Sequence, residues 1–331
     1  MLLVLGRRLG GAVPVLLALV LVVFILQKIS PVDPVAALVG AKASPAVYAA
    51  ARHQLGLDKP VPVQFFDYVG RALSGNLGDS SVTRTPVAQD LRNYLPVTLE
   101  LIVAAFFLIV VIGFFLGIAT AQGWRGSGVL KFIMVAGASV PVFLACLLGM
   151  LVFFRWLNLL PITGQTSSYN APTGPTGFLA IDSWIAGRPG LFVDDIRHLI
   201  LPALCVAITP AVAVGRVLRS SLEGVMRSDY MRTARAKGLS ERTVLVRHGL
   251  RNALGPVLAL MGLQLAGLIG SSIVVEMIFA RPGIGLYIAQ AITAGDFNTI
   301  AGVTLVVGLL YVVANVVVDM LQAIADPRVA M

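Results

Sequence analysis

The sequence predicts an all-α, polytopic membrane protein with six transmembrane helices and both termini in the cytoplasm. Three observations carry that expectation. Hydrophobic residues fill 57% of the 331 positions and charged residues only 12%, against about 25% charged in ordinary globular domains. Six apolar stretches each reach the ~20 helical residues that a bilayer requires. Lys and Arg are shared unequally between the segments joining those stretches, which sets orientation.

The first stretch, Leu9–Ile29, lies in an anchor covering residues 1–30. Arg7-Arg8, the apolar run and a later Ala41-Lys42-Ala43 resemble a secretory signal. The run exceeds the ~7–15 residues of such signals and the candidate cleavage site lies well beyond it, so a retained anchor is expected. Residues 31–96 follow as an extracytoplasmic segment with short helices. In "SPAVYAAARHQLGL", Ser44 is placed to cap, Pro45 to open and Gly56 to close one helix; in "PVQFFDYVGRALSG", Pro62 opens and Gly75 closes another. Phe65, Phe66 and Tyr68 are expected to pack against the outer ends of the membrane helices.

Residues 97–331 form the expected five-helix core, with spans at Val97–Ala121, Lys131–Phe154, Leu199–Leu218, Leu254–Phe279 and Ile300–Ile324. Pro14, Pro141, Pro202, Pro210 and Pro256 fall inside spans, where neighbouring helices can satisfy freed backbone groups. Arg155–His198, rich in Gly, Pro, Ser and Thr, reads as an outer loop. Gly113 and Gly117 form a small-xxx-small pair, suited either to packing within the chain or to dimerisation. Cys146 and Cys205 fall within spans as small core residues and give no disulfide framework.

With the N-terminus inside, the cytoplasmic segments hold Arg7, Arg8, Arg125, Lys131, nine basic residues between Arg216 and Arg251, and Arg328. Their acids are Glu223, Asp229, Glu241, Asp319 and Asp326. The outer segments balance, so the whole net charge of +9 falls on one face. Topology explains the basic character, and no nucleic acid is needed as a partner.

Catalytic and cofactor signatures are missing from the sequence. There is no G-x-x-x-x-G-K-[ST], no H-E-x-x-H and no G-x-S-x-G. His53, His198 and His248 are far apart in sequence and fall on different sides of the membrane, so no catalytic residue, metal site or bound cofactor is expected. Glu276 and Asp319, near span ends, suit structural or gating roles; Glu100 is placed similarly. A proton-coupled carrier would instead use such carboxylates as a relay. Ser139, Thr209, Gln264, Ser271 and Ser272 either line a pathway or bond helices together.

The segment 219–254 between the fourth and fifth spans is the unusual one. In "SDYMRTARAKGLSERTVLVRHGLRN", Asp229 is placed to cap a short helix and Gly238 to end it in a left-handed turn. Ser240 is placed to cap a second helix leading into the fifth span. Ala234 and Ala236 permit close contact, while Arg232, Arg235 and Lys237 offer donors to carboxylates. Anionic lipid, positive-inside topology and a grooved protein partner each account for part of this pattern.

"DYMRTARAKGLSERTVLVRHGLRNALGP" resembles the cytoplasmic EAA loop of ABC importer permeases, with Arg232-Thr233-Ala234 at the E-A-A places and Gly238 at the glycine. Arg232 departs from the usual glutamate, yet the wording is typical of the oligopeptide, dipeptide and nickel branch. "ISPVDPV", "HQLGLDKPVPVQFFDYV", "LSGNLGDSSVTRTPV", "LPVTLEL", "ASVPVF", "LPAL", "VVEMIFARPGIG", "GDFNTI" and "DMLQAIADPRV" extend the likeness over nearly the whole chain, to the B-type subunit.

The resemblance implies a type I importer permease fold in the cytoplasmic membrane. It implies no catalysis on this chain, with ATP and Mg held by two partner ATPase domains. A homologous second permease, an extracytoplasmic substrate-binding protein and membrane lipid complete the partners. Asp229, Tyr230, Arg232, Thr233, Ala234, Arg235, Ala236, Lys237 and Gly238 would form the coupling helix. The implied solute is a di- or oligopeptide, with nickel or another small solute as the alternative. A membrane receptor or scaffold is a further alternative.

Overall fold

The computed structural model describes residues 2–29, 34–40, 43–54, 56–168 and 174–325. Among them the regular structure is helical, with one isolated bridge pair, Asp79 and Pro86. Helices α1 (Leu2–Ile29), α2 (Pro34–Val39), α3 (Pro45–Gln54) and α4 (Val61–Leu73) precede the 35-residue α5 (Val87–Ala121). Then come α6 (Ser127–Ala138), α7 (Val142–Gly149) with a π-helical continuation Met150–Trp156, and α8 (Leu179–Ile185). The 38-residue α9 (Pro189–Met226) leads to α10 (Asp229–Ala236). A short α11 (Glu241–Thr243) passes through a π-helical stretch, Val244–Leu250, into α12 (Arg251–Ile278). Helices α13 (Ile284–Ala294) and α14 (Phe297–Ala325) complete the order.

Four helices among the described residues are long and apolar enough to cross a membrane: α5, α9, the continuous Glu241–Ile278 helix, and α14 over Phe297–Val318. Helix α1 adds an apolar portion, Val13–Ile29. The expected third span departs from a single helix, because α6 and α7 meet at a 118° bend. Pro141 is therefore not absorbed as expected. It lacks an N–H and disfavours helical backbone in the residue before it, so the break falls at Ser139–Pro141. Thr209 of α9 braces the break, donating to the carbonyls of Gly137 and Val140 at 3.4 Å each. Pro202, Pro210 and Pro256 do lie within continuous helix.

Helices α5, α9 and the Glu241–Ile278 helix also run well past their apolar stretches. Hydropathy marks only the lipid-facing length, whereas a helix continues wherever its flanking polar groups can be solvated or paired. The outer segment Arg155–His198 is accordingly not all loop: it contains α8 and the first turns of α9, although residues 169–173 lie outside the described ones.

Packing of α5 on α9 forms the centre of the core, with Leu101, Ile109, Leu201, Ala207 and Leu218 fully buried. A Cβ at Gly113 or Gly117 would stand 2.8 Å from Val214 or Leu218, so the small-xxx-small pair serves packing within the chain. Cys146 and Cys205 are free and buried in this core. On the first helix, Phe24 meets Phe65 edge-on at 5.4 Å and Tyr68 at 5.9 Å, while Phe66 faces outward. Ser44 caps α3 by accepting from Val47 N at 3.5 Å.

At the end of the bundle away from α10, Asp296 pins the turn before α5. Its carboxylate accepts from Ser80 Oγ at 2.6 Å, Ser81 N at 2.9 Å and Thr299 Oγ1 at 2.8 Å. Burial alone would raise this carboxyl, but hydrogen bonds from Ser80, Thr299 and Val82 outweigh it and hold it below its ordinary value. Nearby, burial pushes Tyr287 up to about 12, so it remains a donor to Asp90 at 2.7 Å. A depressed carboxyl stabilises the fold above its unfolded value, about 3.9, and the gain is lost as pH falls through the lower folded value. Asp296→Asn should therefore cost about 1.5–3 kcal/mol at pH 7. The gap in melting temperature between it and wild type should close as pH falls below about 4; thermal unfolding in detergent measures it.

Candidate functional site

The 219–254 segment folds as helix, bend and helix at the basic end of the bundle. Ser228 occupies the N-cap position of α10, its hydroxyl donating back to Val225 O at 2.6 Å instead of capping, so the cap sits one residue before the expected Asp229. Asp229 is instead the first helical residue, where a carboxylate complements the helix dipole. Arg232 approaches it at 3.5 Å, with side chains 77% and 96% exposed respectively, so water screens the pair and both remain open to a partner.

The face of α10 turned toward the protein carries Met231, fully buried, and Ala234. They pack with Val244 against Val225 and Met226, at the root of α9. Ala234 therefore uses its small size inward, against its own chain, and not toward an outside surface. Arg235 is likewise committed: Nε meets Glu241 Oε1 at 2.8 Å across the bend, and Nη1 reaches the Met226 carbonyl at 3.5 Å. Asp229, Tyr230, Arg232, Thr233, Ala236 and Lys237 form the exposed face.

Gly238 has φ +79°, a left-handed conformation. Its N–H donates to Arg235 O at 2.9 Å and Leu239 N to Ala234 O at 3.4 Å, closing the helix end. Ser240 then accepts from Thr243 N at 3.4 Å, as its position predicts. Ser221 Oγ donates to Ala253 O at 3.0 Å and joins α9 to α12 just behind the bend. A small exposed helix thus stands on a fixed base where the two longest helices meet.

The residues named for pathway lining do not converge. Ser272 is fully buried and bonds back to Leu268 O at 2.8 Å within its own helix. Ser271 bonds back to Gly267 O at 3.1 Å, and Ser139 to Val135 O at 3.5 Å. Thr209 braces the α6–α7 break. Gln264 is half-buried on α12. Asp319 falls in α14, with its side chain outside the described residues.

Glu276 belongs to a cluster that sequence reasoning did not assemble, at the end opposite α10. Arg281, fully buried, reaches Glu100 Oε2 of α5 at 3.1 Å and Asp195 Oδ1 of α9 at 3.5 Å, both through Nη2. Glu276 Oε2 accepts from Gly285 N at 2.6 Å, and Thr98 Oγ1 accepts from Ile284 N at 2.9 Å. The available signal was the arginine inside the apolar "VVEMIFARPGIG" together with the Asp194-Asp195 pair. Only the long-range folding of three helices brings them together.

Two family profiles account for the chain. "Binding-protein-dependent transport system inner membrane component" matches residues 91–331, and its N-terminal companion matches residues 1–102. A di/tripeptide transport system permease protein of Pseudomonas aeruginosa is 39% identical over 98% of this chain and 97% of its own length. A probable D,D-dipeptide transport system permease of Escherichia coli is 37% identical over 98% and 97%. A dipeptide transport system permease of Alkalihalophilus pseudofirmus is 36% identical over 98% of each. With the helical bundle and the bent loop at its basic end, these place the protein in the inner membrane as a multi-pass, non-catalytic transport subunit. The chain belongs to the family of binding-protein-dependent transport system inner membrane components.

Proposed function

We propose that this chain is the permease subunit of an ATP-driven importer of di- or oligopeptides, and that α10 is its coupling helix. The observation that carries the proposal is the exposed face of Asp229, Tyr230, Arg232, Thr233, Ala236 and Lys237, raised on the fixed base at the junction of α9 and α12. Three of these residues are cationic or anionic and one is a bare alanine. Such a surface accepts a groove edged with both charges more readily than a uniformly anionic lipid sheet. The names of the relatives point to peptides as solute.

The partners in this reading are a homologous second permease, two ABC ATPase domains holding ATP and Mg, and an extracytoplasmic substrate-binding protein. Residues 219–254 lie in the cytoplasm, as the positive charge requires, and both termini lie there too. When the ATPases close on ATP, they displace α10. Met231 and Ala234 pass the displacement to α9, a rod of 38 residues and so ~57 Å long at 1.5 Å per residue. The Glu241–Ile278 helix receives the same push through the Gly238 bend. The permease halves then rock between inward-facing and outward-facing states, and hydrolysis resets them.

The test is uptake by the reconstituted complex. Proteoliposomes holding this chain with a homologous second permease, two ABC ATPases and a substrate-binding protein should accumulate a labelled dipeptide only when ATP is present. Accumulation of nickel complexes and not peptides would reassign the solute. Uptake driven by a pH gradient without ATP, abolished by Glu276→Gln, would support a proton-coupled carrier instead.

A further inference from the structure

The Arg281 cluster holds more hydrogen-bonding capacity than this conformation uses. Arg281 makes both ion pairs through Nη2, leaving Nε and Nη1 without partners. Asp195 Oδ2 and Glu276 Oε1 are buried and also without partners. Two carboxylates, Glu100 of α5 and Asp195 of α9, therefore share one arginine, the Glu276 carboxylate of α12 stands in the same cluster unpaired with it, and two donors and two acceptors stand idle. Buried polar atoms are ordinarily paired, and each exception calls for a cause.

Geometry supplies one. Arg281 and Glu276 belong to the same turn, with Arg281 N donating to Glu276 O at 2.9 Å. The Glu276 carboxylate lies beneath Gly283 and Gly285, where added Cβ atoms would collide with it. Glu100 has donors of its own besides Arg281: Gln165 Nε2 at 3.0 Å and Ala180 N at 3.0 Å. It stays bonded if the arginine leaves. A buried charge cannot part from its partner cheaply unless another waits for it.

We propose that Arg281 is a two-position latch on the extracytoplasmic side. In the position seen here it ties the α12–α13 turn to Glu100 of α5 and Asp195 of α9, and holds the outer end closed. In the second position its guanidinium turns to the unpartnered Oε1 of Glu276 within its own turn. That releases α5 and α9, and the opening admits water to Asp195. Arg281 is thus a positioning residue for solute entry. The inference rests on the proposal that the chain alternates between two states.

The latch predicts opposite effects from two similar substitutions. Glu100→Gln weakens the closed pairing, while Glu276→Gln weakens the open one and still accepts from Gly285 N. Spin labels on Arg188→Cys, at the head of α9, and Thr293→Cys, on α13, report the outer end by electron–electron distance measurement. The full-length chain would be studied within its complex in nanodiscs. Glu100→Gln should raise the long-distance population at least threefold. Adding Glu276→Gln to it should return that population toward the wild-type value. Shifts in the same direction, or unchanged distances for both variants, would overturn the latch. Uptake is read separately: wild-type complexes without ATP-dependent uptake contradict the transport proposal, whereas the distances judge the latch.

Discussion

Gly238→Val is expected to leave the chain inserted in the membrane while uptake falls at least tenfold. No heavy atom lies within 4 Å of a Cβ built at Gly238, so the substitution meets no steric obstacle. Its cost is conformational. At φ +79° a β-branched residue is strained by about 1–3 kcal/mol. The chain can relieve that strain by unwinding the last turn of α10 or changing the angle of the bend. Either route separates Arg235 from Glu241 and turns the exposed face away from its partner. Every ~1.4 kcal/mol lost from a docking geometry is tenfold in affinity. Membrane-fraction blotting and stimulation of ATP hydrolysis by loaded binding protein measure the two halves of the prediction. Wild-type stimulation and uptake in the variant would contradict it.

Gly285→Val is expected to act differently, by lowering stability itself. A Cβ there would stand 2.5 Å from Ile273 Cα, 2.6 Å from its carbonyl oxygen and 2.9 Å from Glu276 Oε2. Backbone atoms of a packed helix cannot step aside as a flexible side chain can. Overpacking of this kind costs about 1–3 kcal/mol, with occasional larger values. At the size of this chain, 331 residues, the melting temperature should fall by roughly 2–4 °C. Gly283→Ala should cost less, because its added atom meets the end of the Glu276 side chain instead of backbone. Equal effects from the two variants would contradict this account of the turn.

Much of the architecture was legible because lipid imposes a simple rule on sequence. Apolar length located four helices that, among the described residues, are long and apolar enough to cross a membrane, fewer than the six expected, and Lys and Arg located the segment that carries α10. Pro45, Ser44, Gly75, Gly238 and Ser240 marked local boundaries that are set by backbone geometry and caps, which are short-range properties. The break at Pro141 was not legible. Proline is tolerated at Pro202, Pro210 and Pro256 and disruptive at Pro141, and the difference lies in what packs beside it. Here Thr209 takes up the carbonyls that a broken helix leaves free.

The site was legible in its place and only half legible in its parts. Sequence spacing located α10, but it could not say which face looks inward. By spacing Ala234 and Arg235 both suit an exposed surface, yet one is buried on Val225 and Met226 and the other braces the bend. The Arg281 cluster was illegible for another reason. Its members are separated by up to 181 positions in sequence, and their meeting depends on α5, α9 and α12 packing together. Polar residues such as Ser272 and Thr209 carried no directional signal at all. A hydroxyl in a membrane helix serves a pathway or a neighbouring carbonyl equally well until its rotamer is known.

The central claim is that the exposed face of α10 seats an ATPase. Photocrosslinking in the assembled complex tests it most directly, with a benzophenone amino acid at Arg232 or Ala236 and a control at Val82, at the other end of the bundle. The account predicts that both α10 positions capture a P-loop ATPase and that the control does not. Capture of lipid alone from Arg232 and Ala236, in a complex that still hydrolyses ATP and imports solute, would contradict it.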